Sequence, residues 1–501
     1  MVLENLEPNL VWQIFEEVFI RTPRASKKED KIRAEIKEYV RAKSNEAGLS
    51  LTLHEDATGN ILVKKSATKG MKAAPPILLQ GHMDMVCETD RPDGFDFENN
   101  PIPVRIQDNG EWVDADGTTL GADNGIGSSI GLALVLDSDV EHGPLEVLLT
   151  VDEETGLVGA FGLEIEKLGI ESKLMINIDS EDLGVITIGS AGGGDTILTK
   201  ALTTKDVTGA ATFYDLSVSG LFGGHSGVDI HEPRANANKL IARMLTKIVE
   251  KMNVHLCSWN GGSKHNAITR ESIAKFAVET GRTADAEKIL EESSAAILAY
   301  YKSAAPGAVP LEPDVKIEWT KSWPSQAFSL EESKKIIQSV NVISHGPIRF
   351  SPSVEGLVET SNNLAIIRTD DSEISVVMST RSSVDSELDS FRKTLSDLAQ
   401  LSGWDVTLKD AYPGWNPEPK NPFLAYVRSH LEKVLEREVK VEAIHAGLEC
   451  GIIGSKIPGI QMVSIGPRME NPHTPDERLR IADVGILYKA MKSILKNLED
   501  L

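Results

Sequence analysis

The chain has 501 residues, a formal net charge of −23 and only three cysteines. That length exceeds one ordinary core and points to two or three domains, while the acidic balance argues against a nucleic-acid backbone or an anionic membrane surface as partner. Cys87, Cys257 and Cys450 are widely spaced with no C-x-x-C pair, which argues against a disulfide framework or thiolate zinc finger and suits a reducing cytosol.

No apolar run reaches the roughly 18 residues needed to span a bilayer. The start, "MVLENLEPNLVWQIFEEVF", is acidic and amphipathic, and a secretory leader is not expected from it. Residues 10–48 read as two helices, the second with Ile32, Ile36, Val40 and Ala47 on a helical period. "LTLHEDATGNILVKK" reads as strand, turn and strand. Apolar runs then end repeatedly in polar clusters: "ILLQGHMD", "LEVLLTVDEE" and "LMINIDSED". Between the first two, Asp123 or Asn124 can cap a helix running to about Val135. Strands alternating with helices predict a mostly parallel sheet sandwiched by helices, with ligands collecting beyond the carboxyl ends of the strands.

After about Ala201 the texture changes to Thr-, Ser- and Val-rich strands, a Gly-rich loop "LFGGHSGVDIH" and a helix from about Ala235. "DAYPGWNPEPKNP" is the best linker candidate. A last helix is expected from Pro422, followed by two loop-like clusters. The partition is 1–200 and 413–501 as the two parts of an α/β domain, with 201–412 as an inserted α+β domain.

Five polar clusters fall where strands end: His82/Asp84, Asp123, Asp152-Glu153-Glu154, Asp179/Glu181 and His473. Taken singly, each also suits a turn, a cap or a surface loop. Taken in order, they suit a hydrolytic pair of divalent ions. Such a pair sits about 3.5–4 Å apart and needs a carboxylate between the ions, further N or O ligands, and a base for the attacking water. Asp123, short and at a helix start, suits bridging. His82 offers nitrogen, and Asp84, two residues on and facing the same way, can fix its tautomer. Glu153 and Glu154 diverge on extended backbone, so one can ligate while the other faces substrate.

At this point the pattern resembles the dinuclear zinc aminoacyl-histidine dipeptidases, also called cytosol non-specific dipeptidases, a branch of the larger zinc exopeptidase and deacylase family. The matching segments are "GHMDMVCE", "ADGTTLGADNGIG", "DEETGLVGA", "NIDSED", "GGHSGVDIH", "HNAITRE", "VETSNNLA", "HAGLECG" and "HTPDER", spread over nearly the whole chain. The resemblance implies a zinc exopeptidase-like catalytic domain with an inserted lid and dimerisation domain. It implies His82, Asp123, Glu154, Asp179 and His473 as ligands of two metal ions, Asp123 bridging. Asp84 would orient His82, and Glu153 would be the general base. His225 matches a histidine that in relatives reaches across a dimer to the oxyanion. Asn266 and Arg381 match positions expected near the substrate, Arg381 as partner of a free carboxylate. Glu449 would meet a substrate ammonium or hold a turn. Thr269 stands where proline is expected.

The resulting expectation is a cytosolic homodimeric metallo-dipeptidase acting on Xaa-His and broader unblocked dipeptides. Zinc suits the ligand set, and manganese or cobalt would fit almost as well. The competing readings are an N-acyl amino acid deacylase or carboxypeptidase of the same superfamily, and a catalytically silent scaffold homologue. The last would lack a ligand or the base, and none is missing.

Overall fold

The structure, a computed structural model, describes residues 1–303 and 309–501. The chain forms two compact units. The first comprises Met1–Gly189, Pro417–Ala443 and Leu448–Leu501, and the second Ser190–Asn416 and Ile444–Gly447. The second unit thus runs between 190 and 416, against the 201 and 412 read from the sequence, and also takes a short later segment.

The first unit is built on an eight-stranded sheet in the order Leu51–Glu55, Ile61–Lys65, Leu145–Thr150, Ile77–His82, Leu174–Asn177, Gln461–Ser464, Val185–Ser190, Lys440–Ile444. The four central strands run parallel, and the flanking pairs are antiparallel. Every residue of Ile77–His82, Leu145–Thr150 and Leu174–Asn177 is buried, as expected for parallel strands covered on both faces. Apolar side chains such as Leu79, Val147 and Ile176 share one core with Ile126 and Ile130 of the helix Ala122–Leu136. His82 ends its strand, and Asp84, Asp152–Glu154 and Asp179 follow strand ends directly. Three of the five sequence clusters therefore sit at one edge of the sheet, where its parallel strands deliver their carboxyl ends, whereas Asp123 lies at a helix start and His473 in a loop after the strand Met469–Glu470 of a separate sheet.

Three local readings change. Neither Asp123 nor Asn124 caps the helix with its side chain: regular helical geometry begins only after Asn124, but the Asp123 oxygens face His82 and His473 and the Asn124 side-chain amide donates to the Ile178 carbonyl at 2.6 Å. The helix at Pro422–Leu435 is not the last, since Glu449–Lys456 and Ile481–Lys496 follow. The latter buries Val484, Leu487, Tyr488, Met491, Ile494 and Leu495 on a helical period. The Pro/Gly-rich segment does carry the boundary between the units, at Asn416–Pro417, but it is not a free connection, because Tyr412 and Trp415 form β-bridges to Gly193 and Ser190.

The second unit holds a nine-stranded antiparallel sheet. Its strands Gly192–Ala201, Glu373–Ser382 and Val358–Thr369 are neighbours, with Arg381 opposite Gly193 on one side and Ser361 on the other. The helices Ala237–Val249, Thr283–Lys302, Leu330–Val342 and Asp385–Ser402 pack a separate core against it. Thr269 has a structural task that proline could not perform: its hydroxyl donates to the Leu364 and Ala365 carbonyls, at 3.1 and 2.6 Å, where the long strand bulges. Among the described residues no helix is long and apolar enough to cross a membrane.

Candidate metal centre and anion site

His82 is 1% exposed at the end of its strand. A side chain on the preceding Gly81 would collide with the Asn124 amide and the Ser128 hydroxyl, so only glycine lets the helix start approach. The His82 Nε2 lies 3.0 Å from Asp123 Oδ1 and 3.5 Å from Asp179 Oδ1. Its Nδ1 lies 3.3 Å from Asp84 Oδ1, a charge contact rather than an aligned hydrogen bond. Asp84 does a second task that the sequence did not reveal: its two oxygens accept the backbone N–H groups of Glu153 and Glu154, at 3.0 and 3.3 Å, and Ser26 Oγ at 2.8 Å. One carboxylate thus orients the histidine and the loop that carries both glutamates.

Asp123 stands between two imidazoles. Its Oδ1 faces His82, while its Oδ2 lies 2.9 Å from His473 Nε2. His473 Nε2 is also 3.1 Å from Glu154 Oε2. The cluster accordingly has two halves, His82 with Asp179 and His473 with Glu154, sharing Asp123. Asp179 Oδ1 and Glu154 Oε1 are buried without any hydrogen-bond partner, and His82, Asp123 and Glu154 each offer a ligand atom within 4.8 Å of the others. Buried polar atoms are rarely left unpaired. Oxygen and imidazole donors converging with unmatched lone pairs fit divalent cations.

The electrostatics agree. Hydrogen bonds to Asp123 and Glu154 push His473 up to about 11. Burial opposes the charged form of His82, yet Asp179, Asp123 and Asp84 together raise it well above the usual histidine range. Surplus negative charge at this centre attracts cations, protons included. Burial, with Glu449, Glu154 and Asp123 adding to it against the pull of His82, raises Glu153 well above an ordinary glutamate. Glu449, first residue of its helix, accepts Gln80 Nε2 at 2.6 Å and Thr150 Oγ1 at 2.7 Å through Oε2. Its Oε1 is buried and unpaired, and burial pushes its pKa to about 7.

Two further residues hold this arrangement and were not singled out from the sequence. The buried Glu477 carboxylate accepts four successive backbone N–H groups, from Leu120, Gly121, Ala122 and Asp123, at 2.7–3.3 Å. It arrives there because the strand Arg478–Arg480 pairs with Trp112–Ala115, which leads into the Asp123 loop. The same C-terminal loop carries His473, so one segment supplies a candidate ligand and the cradle for another. Arg24, 1% exposed, donates to the carbonyls of Phe19, Met83, Asp84 and Gly121, tying the His82 strand end to the same loop. Nothing in the local sequence marks either role, since both act on backbone atoms of distant segments.

In the second unit, His225 lies on a two-residue strand paired with Ala267–Ile268. Its Nδ1 accepts the Gly227 and Val228 N–H groups, at 3.3 and 3.1 Å. Nδ1 is therefore the unprotonated nitrogen, and Nε2 carries a donatable proton. Burial, then the nearby Arg381, lowers the His225 pKa, which favours the neutral ring. The adjacent Ser226 accepts Arg381 Nε at 3.4 Å and donates its N–H to the Asn266 carbonyl at 2.8 Å. The fold thus brings His225, Asn266 and Arg381 to one place within this unit.

The family model for peptidase family M20/M25/M40 matches residues 78–497. The chain belongs to this family. Within it, the cytosol non-specific dipeptidase of Escherichia coli strain K12 is 36% identical over 497 residues, covering 99% of both chains. The crystal structure of aminoacylhistidine dipeptidase from Vibrio alginolyticus superposes with a TM-score of 0.89 at 34% identity, covering 99% of this chain and 97% of that one. A tripeptidase from Staphylococcus aureus, 16% identical and covering 99% and 100%, has a TM-score of 0.55 and shares the fold alone. The mixed α/β architecture with a second domain is that of the M20/M25/M40 peptidases.

Proposed function

We propose that this M20 peptidase is a cytosolic dipeptidase that hydrolyses unblocked dipeptides, Xaa-His among them, with two divalent ions in its first unit. The observation that carries the reading is Asp123, one carboxylate shared between two imidazoles, with an unpaired buried carboxylate oxygen on either side. His82 and Asp179 would hold one ion, His473 and Glu154 the other, and Asp123 both. When bound, such ions polarise the scissile carbonyl and acidify the attacking water. Zinc suits this donor set, and manganese or cobalt is an acceptable substitute.

Glu153 is the general base. Its backbone is held by Asp84 while its side chain has no protein partner among the described hydrogen bonds, leaving it free to take a proton from water and return it to the leaving amine. Its raised proton affinity suits that double transfer. The Nε2–H of His225 is assigned to the developing oxyanion, Arg381 to the substrate carboxylate, Asn266 to the substrate backbone, and the free oxygen of Glu449 to the substrate ammonium. His225 and Arg381 belong to the same unit of the same chain, so a homodimer, which the family resemblance implies, is not required to bring these two together.

The deciding experiment strips the purified chain with chelator, reloads it with zinc or manganese, and compares Xaa-His and ordinary dipeptides with N-acetyl amino acids. Metal-dependent release of free amino acids from the dipeptides alone is expected. Cleavage of the acetylated compounds alone would move the protein to the deacylases, and no activity with any metal would leave the scaffold reading.

A further inference from the structure

Arg381 is 7% exposed. One terminal nitrogen donates to the Tyr412 hydroxyl at 2.9 Å, and Nε donates to Ser226 Oγ at 3.4 Å. A guanidinium has five N–H donors, so most of its capacity is unused by the described residues, among which it forms no salt bridge. Asp195, whose charge it feels, is paired with His265 at 3.0 Å instead. A buried guanidinium without a counterion is costly unless a ligand supplies one.

Tyr412 is fixed beside it by backbone. Its N–H and carbonyl pair with the carbonyl and N–H of Gly193, at 2.9 and 3.0 Å, and Gly193 is the residue opposite Arg381 in the sheet. A Cβ on Gly193 would meet the tyrosine hydroxyl and ring at 2.7–3.0 Å, and one on Gly447 would meet them at 3.1–3.4 Å. The ring therefore lies between two positions that carry no side chain. Its oxygen accepts from Arg381, and a hydroxyl that accepts still has its own proton to give. No described hydrogen bond uses that proton.

From this juxtaposition we infer that Tyr412 is a substrate-binding residue whose O–H donates to the same C-terminal carboxylate that Arg381 pairs with. The inference rests on the dipeptidase reading and deepens it: the substrate must end in a free carboxylate, and a residue in a Pro/Gly-rich connecting segment helps to read it. Two donors of fixed spacing also discriminate a carboxylate from a carboxamide, whose NH2 would face one of them.

The test uses the full metal-loaded chain, with a dipeptide and its C-terminal amide as substrates, in the wild type and Tyr412→Phe. For the acid, kcat/KM is expected to fall at least about tenfold, the loss of one hydrogen bond to a charged group. That loss should fall in KM, with kcat little changed. For the amide, the wild type should already be poor and the variant no worse. If the amide is not turned over, its Ki as a competitor replaces kcat/KM. Equal losses for acid and amide would assign Tyr412 a merely structural role, and an unchanged KM for the acid would overturn the inference outright. A wild type that cleaves no dipeptide with any metal would remove the underlying reading, and the inference with it.

Discussion

The two units bury charge of opposite sign. In the first, Asp84, Asp123, Glu153, Glu154, Asp179 and Glu449 gather around two imidazoles, with carboxylate oxygens left unpaired. In the second, a buried guanidinium has only neutral hydrogen-bond partners, Tyr412 and Ser226, and lies near a His225 whose basicity is lowered. Either arrangement is costly in isolation, because burying like charge without partners forfeits hydration. Each becomes favourable when a ligand of the other sign arrives. On the proposed function the contrast separates two tasks, cation holding in the first unit and anion reading in the second, and predicts that they fail in different ways.

The largest effect should come from Glu153. Glu153→Gln is expected to lower kcat by about 10²–10⁴-fold, the usual worth of a general base, while metal content by atomic emission stays at wild-type level. Loss of metal together with activity would show that Glu153 is a ligand and that the division of labour with Glu154 is wrong.

Next comes the cradle. Glu477→Gln places an amide against backbone N–H groups that need an acceptor, and should cost on the order of 2–4 kcal/mol, an unsatisfied buried cluster. The effect should appear in the metal-loaded enzyme as weaker zinc affinity in a chelator competition, because the backbone of Asp123 is one of the four groups held. Thermal destabilisation without any change in zinc affinity would separate the cradle from the metal centre.

Arg381→Met probes the other unit. It should raise KM for dipeptides by roughly 10–100-fold with little change in kcat, and Lys should rescue only in part because it lacks the forked geometry. A fall in kcat alone would place Arg381 with the reacting atoms and blur the contrast with Glu153.

The smallest effect concerns charge balance near Arg381. Burial, reinforced by Arg381, lowers His445 to about 3. Below the ordinary histidine pKa of about 6.5 the unfolded chain binds a proton that the folded chain refuses, so stability falls with decreasing pH by about 1.4 kcal/mol per pH unit until the folded group titrates. In His445→Gln this component of the acid slope should vanish in denaturant titrations between pH 6 and 4. An unchanged slope would mean that the acid lability lies elsewhere.

What the sequence revealed follows the same physical divide. His82, Asp84, Glu153, Glu154 and Asp179 could be read because a parallel sheet delivers side chains at strand ends, visible as apolar runs breaking into polar ones, and Asp123 because a short acidic residue stands where a helix begins. Glu477 and Arg24 escaped because their partners are backbone atoms, which have no sequence signature, on loops hundreds of positions away in the case of Glu477. Tyr412 escaped because proline and glycine around it read as a connection, whereas the glycine that matters is Gly193, which makes room for its ring. The terminal helix Ile481–Lys496 carries an apolar period in its sequence, but it follows directly on loop-like segments with no helix-capping signal to mark its start. Thr269 stands out in the sequence only as a departure from the expected proline, and the bulge at Leu364–Ala365 shows what its hydroxyl is for.

The Glu477 cradle also bears on the order in which a growing chain can become itself. The groups it holds leave the ribosome more than 350 residues earlier, at 120–123. The strand Gln461–Ser464, which sits between Leu174–Asn177 and Val185–Ser190, is likewise made late. Until those last segments emerge, the nascent catalytic half has a gap in its sheet, open strand edges, and acidic groups lacking the histidine and the cradle that organise them. Such exposed edges and hydrophobic surface are what chaperones shield. The inserted unit, whose sheet strands are all synthesised by Leu408, can by contrast close its sheet early and lacks only the short segment Ile444–Gly447, so the cluster around Asp123 is the last part to be completed.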